Sequence, residues 1–214
     1  MMYSHVNILC EGQSEEIFAK RLLAPYFSKY NIYITPIILG GVARYGGIRR
    51  ELKRIGKDSS SYLSTMLDFY KLPQDTPGMN RIDQLGPENA GDSVESEIYM
   101  DLRDELNCRD FIPNLLIHEY EALLFSNVEC FSCCEGITES MLRRFSKIRY
   151  DYATPEQINS GEQTAPSKRI LQIYPSYQKI SDGILIASNI GIEKMLEECP
   201  HFAKWIQKIQ ELSG

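Results

Sequence analysis

Glu11, Glu15, Asp68, Glu119 and Glu121 are the side chains whose types and positions suit chemistry. Glu11 follows the apolar run Val6-Asn7-Ile8-Leu9-Cys10, and Glu15 lies one helical turn further on. Asp68 closes the run that begins at Tyr62, while Glu119 and Glu121 follow Pro113-Asn114-Leu115-Leu116-Ile117. If these runs are parallel strands, their ends share one side of a sheet and the acids converge on one edge. Converging carboxylates repel unless a cation lies between them, and a hard, oxygen-preferring ion such as magnesium meets that need. Two such ions about 4 Å apart would clamp the attacking and leaving oxygens of a phosphoryl transfer. The plainer alternative for Glu15, beside Glu16, is an acid that complements a helix dipole. Asp68 suits that alternative less well, because it follows an apolar run directly.

The elements that must position these acids alternate between two periods. After the first run, Glu11-Gly12 reads as a turn and Ser14 as a helix N-cap, with Ile17, Phe18, Leu22, Leu23 and Tyr26 at helical spacing. Asn31 breaks that helix, and Ile32 to Leu39 reads as a second strand ended by Gly40-Gly41. Ile48, Leu52 and Ile55 mark a basic amphipathic helix, and Tyr62 to Leu67 a third strand. Val94, Ile98, Leu102 and Leu106 form a helix stripe before the fourth strand at residues 113–117, and Tyr120 to Phe125 begins another helix. Strand–helix alternation predicts an α/β fold, a central parallel sheet flanked by helices. Chemistry in such sheets collects where strands end. The rest of the chain reads as mainly helical, which suggests an α/β core over residues 1–126 and a helical C-terminal extension over 127–214 packed on it.

Composition narrows the classes. The 214 residues carry 23 Lys+Arg against 29 Asp+Glu, a formal charge of −6, and 43% are hydrophobic. That apolar fraction excludes disorder as the main state. No stretch approaches the roughly 18 consecutive apolar residues of a membrane span. The start, Met-Met-Tyr-Ser-His, lacks a basic region followed by an apolar run, so a cytoplasmic chain without a secretory signal is expected. The acidic balance argues against non-specific coating of nucleic acid. Zinc ligation by Cys130, Cys133 and Cys134, or by Cys199 with His201, is weighed against free, buried or half-buried thiols, and the thiols are preferred.

Glu11-Gly12-Gln13-Ser14-Glu15 after a first strand resembles the Glu-Gly-x-Ser/Thr-Glu signature of Toprim domains, found in topoisomerases, primases and OLD-type nucleases. The whole chain more closely resembles domain-of-unknown-function family 4276. The segments that carry this are Leu9 to Glu15, Thr65 to Pro73, Phe111-Ile112-Pro113, His118 to Phe125, Thr164 to Arg169, and Cys199-Pro200-His201-Phe202 with Trp205. The resemblance implies a Toprim-like metal-dependent core, often encoded beside ATPases in prokaryotic defence loci. It implies Mg2+ (or Mn2+) held by Glu11 and Asp68, with Glu15, Glu119 and Glu121 completing or positioning the cluster. In the Toprim pattern a second acid stands two residues after the first; here Asp68-Phe69-Tyr70 lacks it. Asp75, or Glu119 and Glu121, could supply the missing oxygen. The implied activity is phosphodiester hydrolysis by a nuclease effector of antiviral defence that works with an ATPase. The alternative is a non-catalytic regulatory or binding subunit with a degenerate site, docked on an ATPase partner.

Basic groups complete the set. Residues 42–57 hold Arg44, Arg49, Arg50, Lys53, Arg54 and Lys57 against Glu51. With Gly46-Gly47 ahead of a helix, this stretch suits a phosphate backbone, or else a solvated face or an acidic protein partner. Lys168-Arg169 form a second basic pair, and the resemblance gives Lys168 the role of stabilising a pentavalent phosphate. His118 is a candidate proton shuttle or metal ligand, with a structural hydrogen-bonding role equally open. Phe202 and Trp205 read as packing residues. Nucleic acid as substrate and a homo-oligomeric state both remain open.

Overall fold

The structure, a computed structural model, describes residues 3–41, 43–85, 87–159 and 164–213. Met1, Met2 and Val42 lie outside the described residues. The chain forms two compact units, residues 1–117 with 205–214, and residues 118–204.

The first unit is a parallel α/β sheet, as the alternating periods predict. Strand β1 (Ser4–Cys10) pairs with β2 (Ile32–Ile38) on one side and β3 (Tyr62–Asp68) on the other. Beyond β3 lie β4 (Phe111–Ile112) and β5 (Leu115–Leu116), which keep the same register against β3 and are halves of one interrupted strand. Pro113 breaks this strand because it has no N–H for the ladder. Thr65 fills the gap: its Oγ1 accepts the Asn114 N–H at 2.8 Å and donates to the Asn114 carbonyl at 2.7 Å. The Leu115 N–H donates to Glu95 Oε1 at 2.8 Å.

Helix α1 (Gln13–Phe18) continues through a π turn (Ala19–Leu23) into α2 (Ala24–Ser28). Pro25 cannot extend the hydrogen-bond ladder, and the wider turn just before it absorbs the misfit. Asn31 then takes a left-handed conformation (φ 57°), which Asn tolerates, and turns the chain into β2. Helix α3 (Tyr45–Ile55) crosses to β3, and α4 (Pro87–Leu102) leads toward β4. Right-handed crossovers place α3 and α4 on one face of the sheet and α1–α2 on the other. Ile48, Leu52 and Ile55 of α3 and Val94, Ile98 and Leu102 of α4 accordingly share a core with Leu9, Leu63 and Leu67. Burial on both faces leaves every residue of β3 after Tyr62 buried, its polar Ser64 and Thr65 included.

The described residues of the second unit form helices and turns, as the helical pattern predicts. The expected helix at Tyr120 is a 3₁₀ segment (Tyr120–Ser126), followed by another at Val128–Cys133. Then come α5 (Glu139–Tyr150), α6 (Pro166–Ile173), α7 (Ser181–Ile190) and α8 (Ile192–Glu198). Phe131 stacks on Phe145 with centroids 4.1 Å apart, and Phe125 meets both rings. Helix α9 (Pro200–Gln210) begins in this unit, and from Trp205 onward it belongs to the first. There Trp205 Nε1 donates to Ser64 Oγ at 2.8 Å, and Ser64 Oγ donates to the Ile112 carbonyl at 2.6 Å. All six cysteines are free thiols. Among the described residues, no helix is long and apolar enough to cross a membrane.

Candidate functional site

The carboxyl ends of β1 and β3 lie side by side, with Cys10 in register with Met66. Glu11, just past the end of β1, meets Asp68, the last residue of β3. The Glu11 N–H donates to the Met66 carbonyl at 3.1 Å, and Glu11 Oε2 accepts the Asp68 N–H at 3.0 Å. Lys71, at the end of a 3₁₀ turn (Phe69–Lys71), closes the group. Its Nζ lies 2.9 Å from Glu11 Oε1 and 2.6 Å from Asp68 Oδ2. Burial opposes charge on Lys71, but the attraction of Asp68 and then Glu11 outweighs it and holds the ammonium well above the usual lysine range. Asp68 is fully buried, whereas the Lys71 side chain is about half exposed. Glu11, Asp68 and Lys71 line one wall of a cleft of about 470 Å³, with Gly12, Gly40 and Gly41 also at its edge.

Glu15 is buried in α1, its Oε2 accepting the Gly12 N–H at 3.0 Å. That bond starts the helix at Gln13, so Gly12 takes the N-cap position expected of Ser14, which lies buried inside the first turn. Asp75, offered as a replacement for the missing second acid, accepts the Tyr45 N–H at 3.0 Å and so occupies the N-terminus of α3. Tyr45 is the first residue of that helix; Gly46-Gly47 sit in its first turn rather than ahead of it. Tyr70, which stands where Toprim domains carry the second acid, is exposed.

The basic helix meets acids of its own unit. Arg49 pairs with Asp101 at 3.1 Å and with Glu105, and Lys53 reaches Glu105 at 2.6 Å. Tyr45 Oη also donates to Asp101, at 2.9 Å. Asp101 and Glu105 thus neutralise part of the basic stretch, while Arg44 and Arg50 stay exposed.

The remaining candidates belong to the second unit. Glu119 Oε2 accepts the Ser167 N–H at 3.0 Å, at the N-terminus of α6. Lys168 is exposed on the same helix. Arg169 donates to the Thr164 carbonyl and to Tyr152 Oη, and its guanidinium lies over the Tyr152 ring. Glu121 is fully buried, and burial raises its carboxyl to about 7 even with Lys179 Nζ 3.1 Å from Oε2. Desolvation outweighs the pairing there. His118 is buried as well; burial lowers it to about 4 against the opposing pull of Glu119, so its ring is neutral at pH 7. Asn159 Nδ2 lies 3.3 Å from His118 Nδ1.

The structure sets Glu11 beside Asp68, the pair that the strand ends alone suggest, and adds Lys71, which the strand-end argument omits. A lysine three residues after Asp68 in a turn-forming segment was the available signal.

The family model described as a domain of unknown function (DUF4276) matches residues 10–210. No curated protein matches the sequence. Among solved structures, the C-terminal region of the Xanthomonas campestris pv. campestris OLD protein is 16% identical, with 100% of this chain and 97% of that chain covered and a TM-score of 0.47. The C-terminal region of the Burkholderia pseudomallei OLD protein is 14% identical, with 100% of both chains covered and a TM-score of 0.47.

Proposed function

The chain belongs to the family described as a domain of unknown function (DUF4276), and from that premise we propose that it is a Toprim-like, metal-dependent phosphodiesterase. One observation carries the reading: Glu11 and Asp68 stand at the carboxyl ends of adjacent parallel strands, on the wall of a cleft, with the Lys71 ammonium between them. The donor set suits a divalent ion. Both groups are carboxylates, and they already hold an ammonium at hydrogen-bond range.

Glu11 and Asp68 would hold Mg2+ or Mn2+, which supplies Lewis-acid stabilisation of charge developing on a phosphate. The Asp68 N–H fixes the direction of the Glu11 carboxylate, so that side chain is oriented before any ligand arrives. Glu15 supports the turn by holding Gly12, whose lack of a side chain keeps the cleft edge open. Gly40 and Gly41 do the same at the end of β2. The family motif alone offers Glu119, Glu121, His118, Lys168 and Arg169 to the same chemistry. It alone supports the antiviral role, the nucleic-acid substrate and the ATPase partner. A neutral His118 would accept rather than donate a proton at pH 7.

Cleavage of plasmid and single-stranded nucleic acid with Mg2+ or Mn2+ tests the reading. Activity should fall at least 100-fold in Glu11→Ala/Asp68→Ala, in line with about 10²-fold or more for loss of a principal electrostatic group. Equal activity in that double variant refutes it. A second reading, a regulatory subunit with a degenerate site, draws on Tyr70 at the position of the missing acid and on Lys71 as built-in charge compensation. It expects no cleavage by either protein and stable co-purification with an ATPase.

A further inference from the structure

Lys71 bridges the two carboxylates assigned above to the metal, so it occupies the place a divalent cation would take there. Resting on the reading above, we infer that Lys71 is the resident counter-cation of the Glu11–Asp68 pair, and that a divalent ion reaches these carboxylates only by displacing it.

The geometry decides which partner yields. Asp68 is fully buried at the end of β3, and Glu11 is held by the Asp68 N–H. Neither can leave without disturbing the sheet edge. Lys71 sits on a short turn, about half exposed, with its flexible stem at the wall of a cleft of about 470 Å³. Its ammonium can swing into the cleft by side-chain rotation alone. Charge supplies the driving force. One ammonium compensates one of two carboxylates, whereas a divalent ion compensates both, so exchange favours the divalent ion only when its concentration is sufficient. Lys71 thereby sets the metal threshold of the site and keeps the buried Asp68 compensated when metal is scarce. A carboxylate buried without a cation would be strongly disfavoured.

The test is Mn2+ titration of the full chain by calorimetry at low ionic strength, comparing the wild type with Lys71→Met. Methionine keeps the apolar stem and removes the charge. Removing a competing charge at this range should tighten Mn2+ binding by roughly tenfold. Unchanged or weaker binding overturns the inference. Should Lys71→Met fail to fold, the wild type gives the same answer through amine acylation read by mass spectrometry. Acylation of Lys71 should rise several-fold when Mg2+ is added, and an unchanged rate overturns the inference. Glu11→Gln/Asp68→Asn separates this inference from the functional reading. If that variant loses Mn2+ while Lys71→Met binds no tighter than the wild type, the metal site stands and the inference alone falls. If it binds Mn2+ as the wild type does, the ion sits elsewhere and both fall.

Discussion

Thr65→Val is expected to loosen the strand beside the candidate site, and its size can be worked from contacts. Thr65 is 2% exposed and Asn114 1% exposed. The Thr65 hydroxyl is at once acceptor for the Asn114 N–H and donor to the Asn114 carbonyl. Valine keeps the shape and the strand preference but leaves both backbone groups without that partner. Each buried group so exposed costs about 1–3 kcal/mol. The added methyl returns about 1 kcal/mol of transfer energy. Two such groups less the methyl give a net cost of about 1–5 kcal/mol, a large share of the roughly 5–15 kcal/mol that stabilises a domain. Thr65→Ser retains the hydroxyl and loses one methyl, so it should cost only about 1 kcal/mol. Urea unfolding of the three proteins, with equal m-values, measures these differences. A Thr65→Val protein within about 0.5 kcal/mol of wild type, or one more stable than Thr65→Ser, refutes the claim that this hydroxyl stands in for the ladder.

Two further outcomes are expected. Burial raises the Glu121 carboxyl from 4.5 to about 7, so the folded chain keeps a proton that the unfolded chain has released between those pH values. Stability should therefore fall as pH rises through that window, by about 3 kcal/mol in all, and level off above it. In chelator, Glu121→Gln should remove this part of the slope; unfolding free energies that run parallel to wild type from pH 4.5 to 8 would contradict it. Ser64→Ala removes the acceptor of Trp205 Nε1 and the donor to the Ile112 carbonyl, and should cost about 2 kcal/mol. Because Trp205 is the only tryptophan, its emission reports the change directly, and an unaltered spectrum with unaltered stability counts against the contact.

Sequence patterning determined the alternation of strands and helices in the first unit, because burial on both faces leaves strands apolar and helices striped at their own period. It also placed Glu11 and Asp68 at strand ends, since an acid that closes an apolar run has few other places to be. Tertiary structure decided which acids and bases meet. Asp75 and Glu119 are spent on the N-termini of α3 and α6, and Arg49 and Lys53 on Asp101 and Glu105. Those pairings join residues 30 to 56 positions apart, a separation that no local period encodes. The chain's return at Trp205 to the first unit is of the same kind. Lys71 shows the division most sharply. Its residue type is plain in the sequence, but its role as the cation between Glu11 and Asp68 exists only because parallel pairing brings the ends of β1 and β3 together.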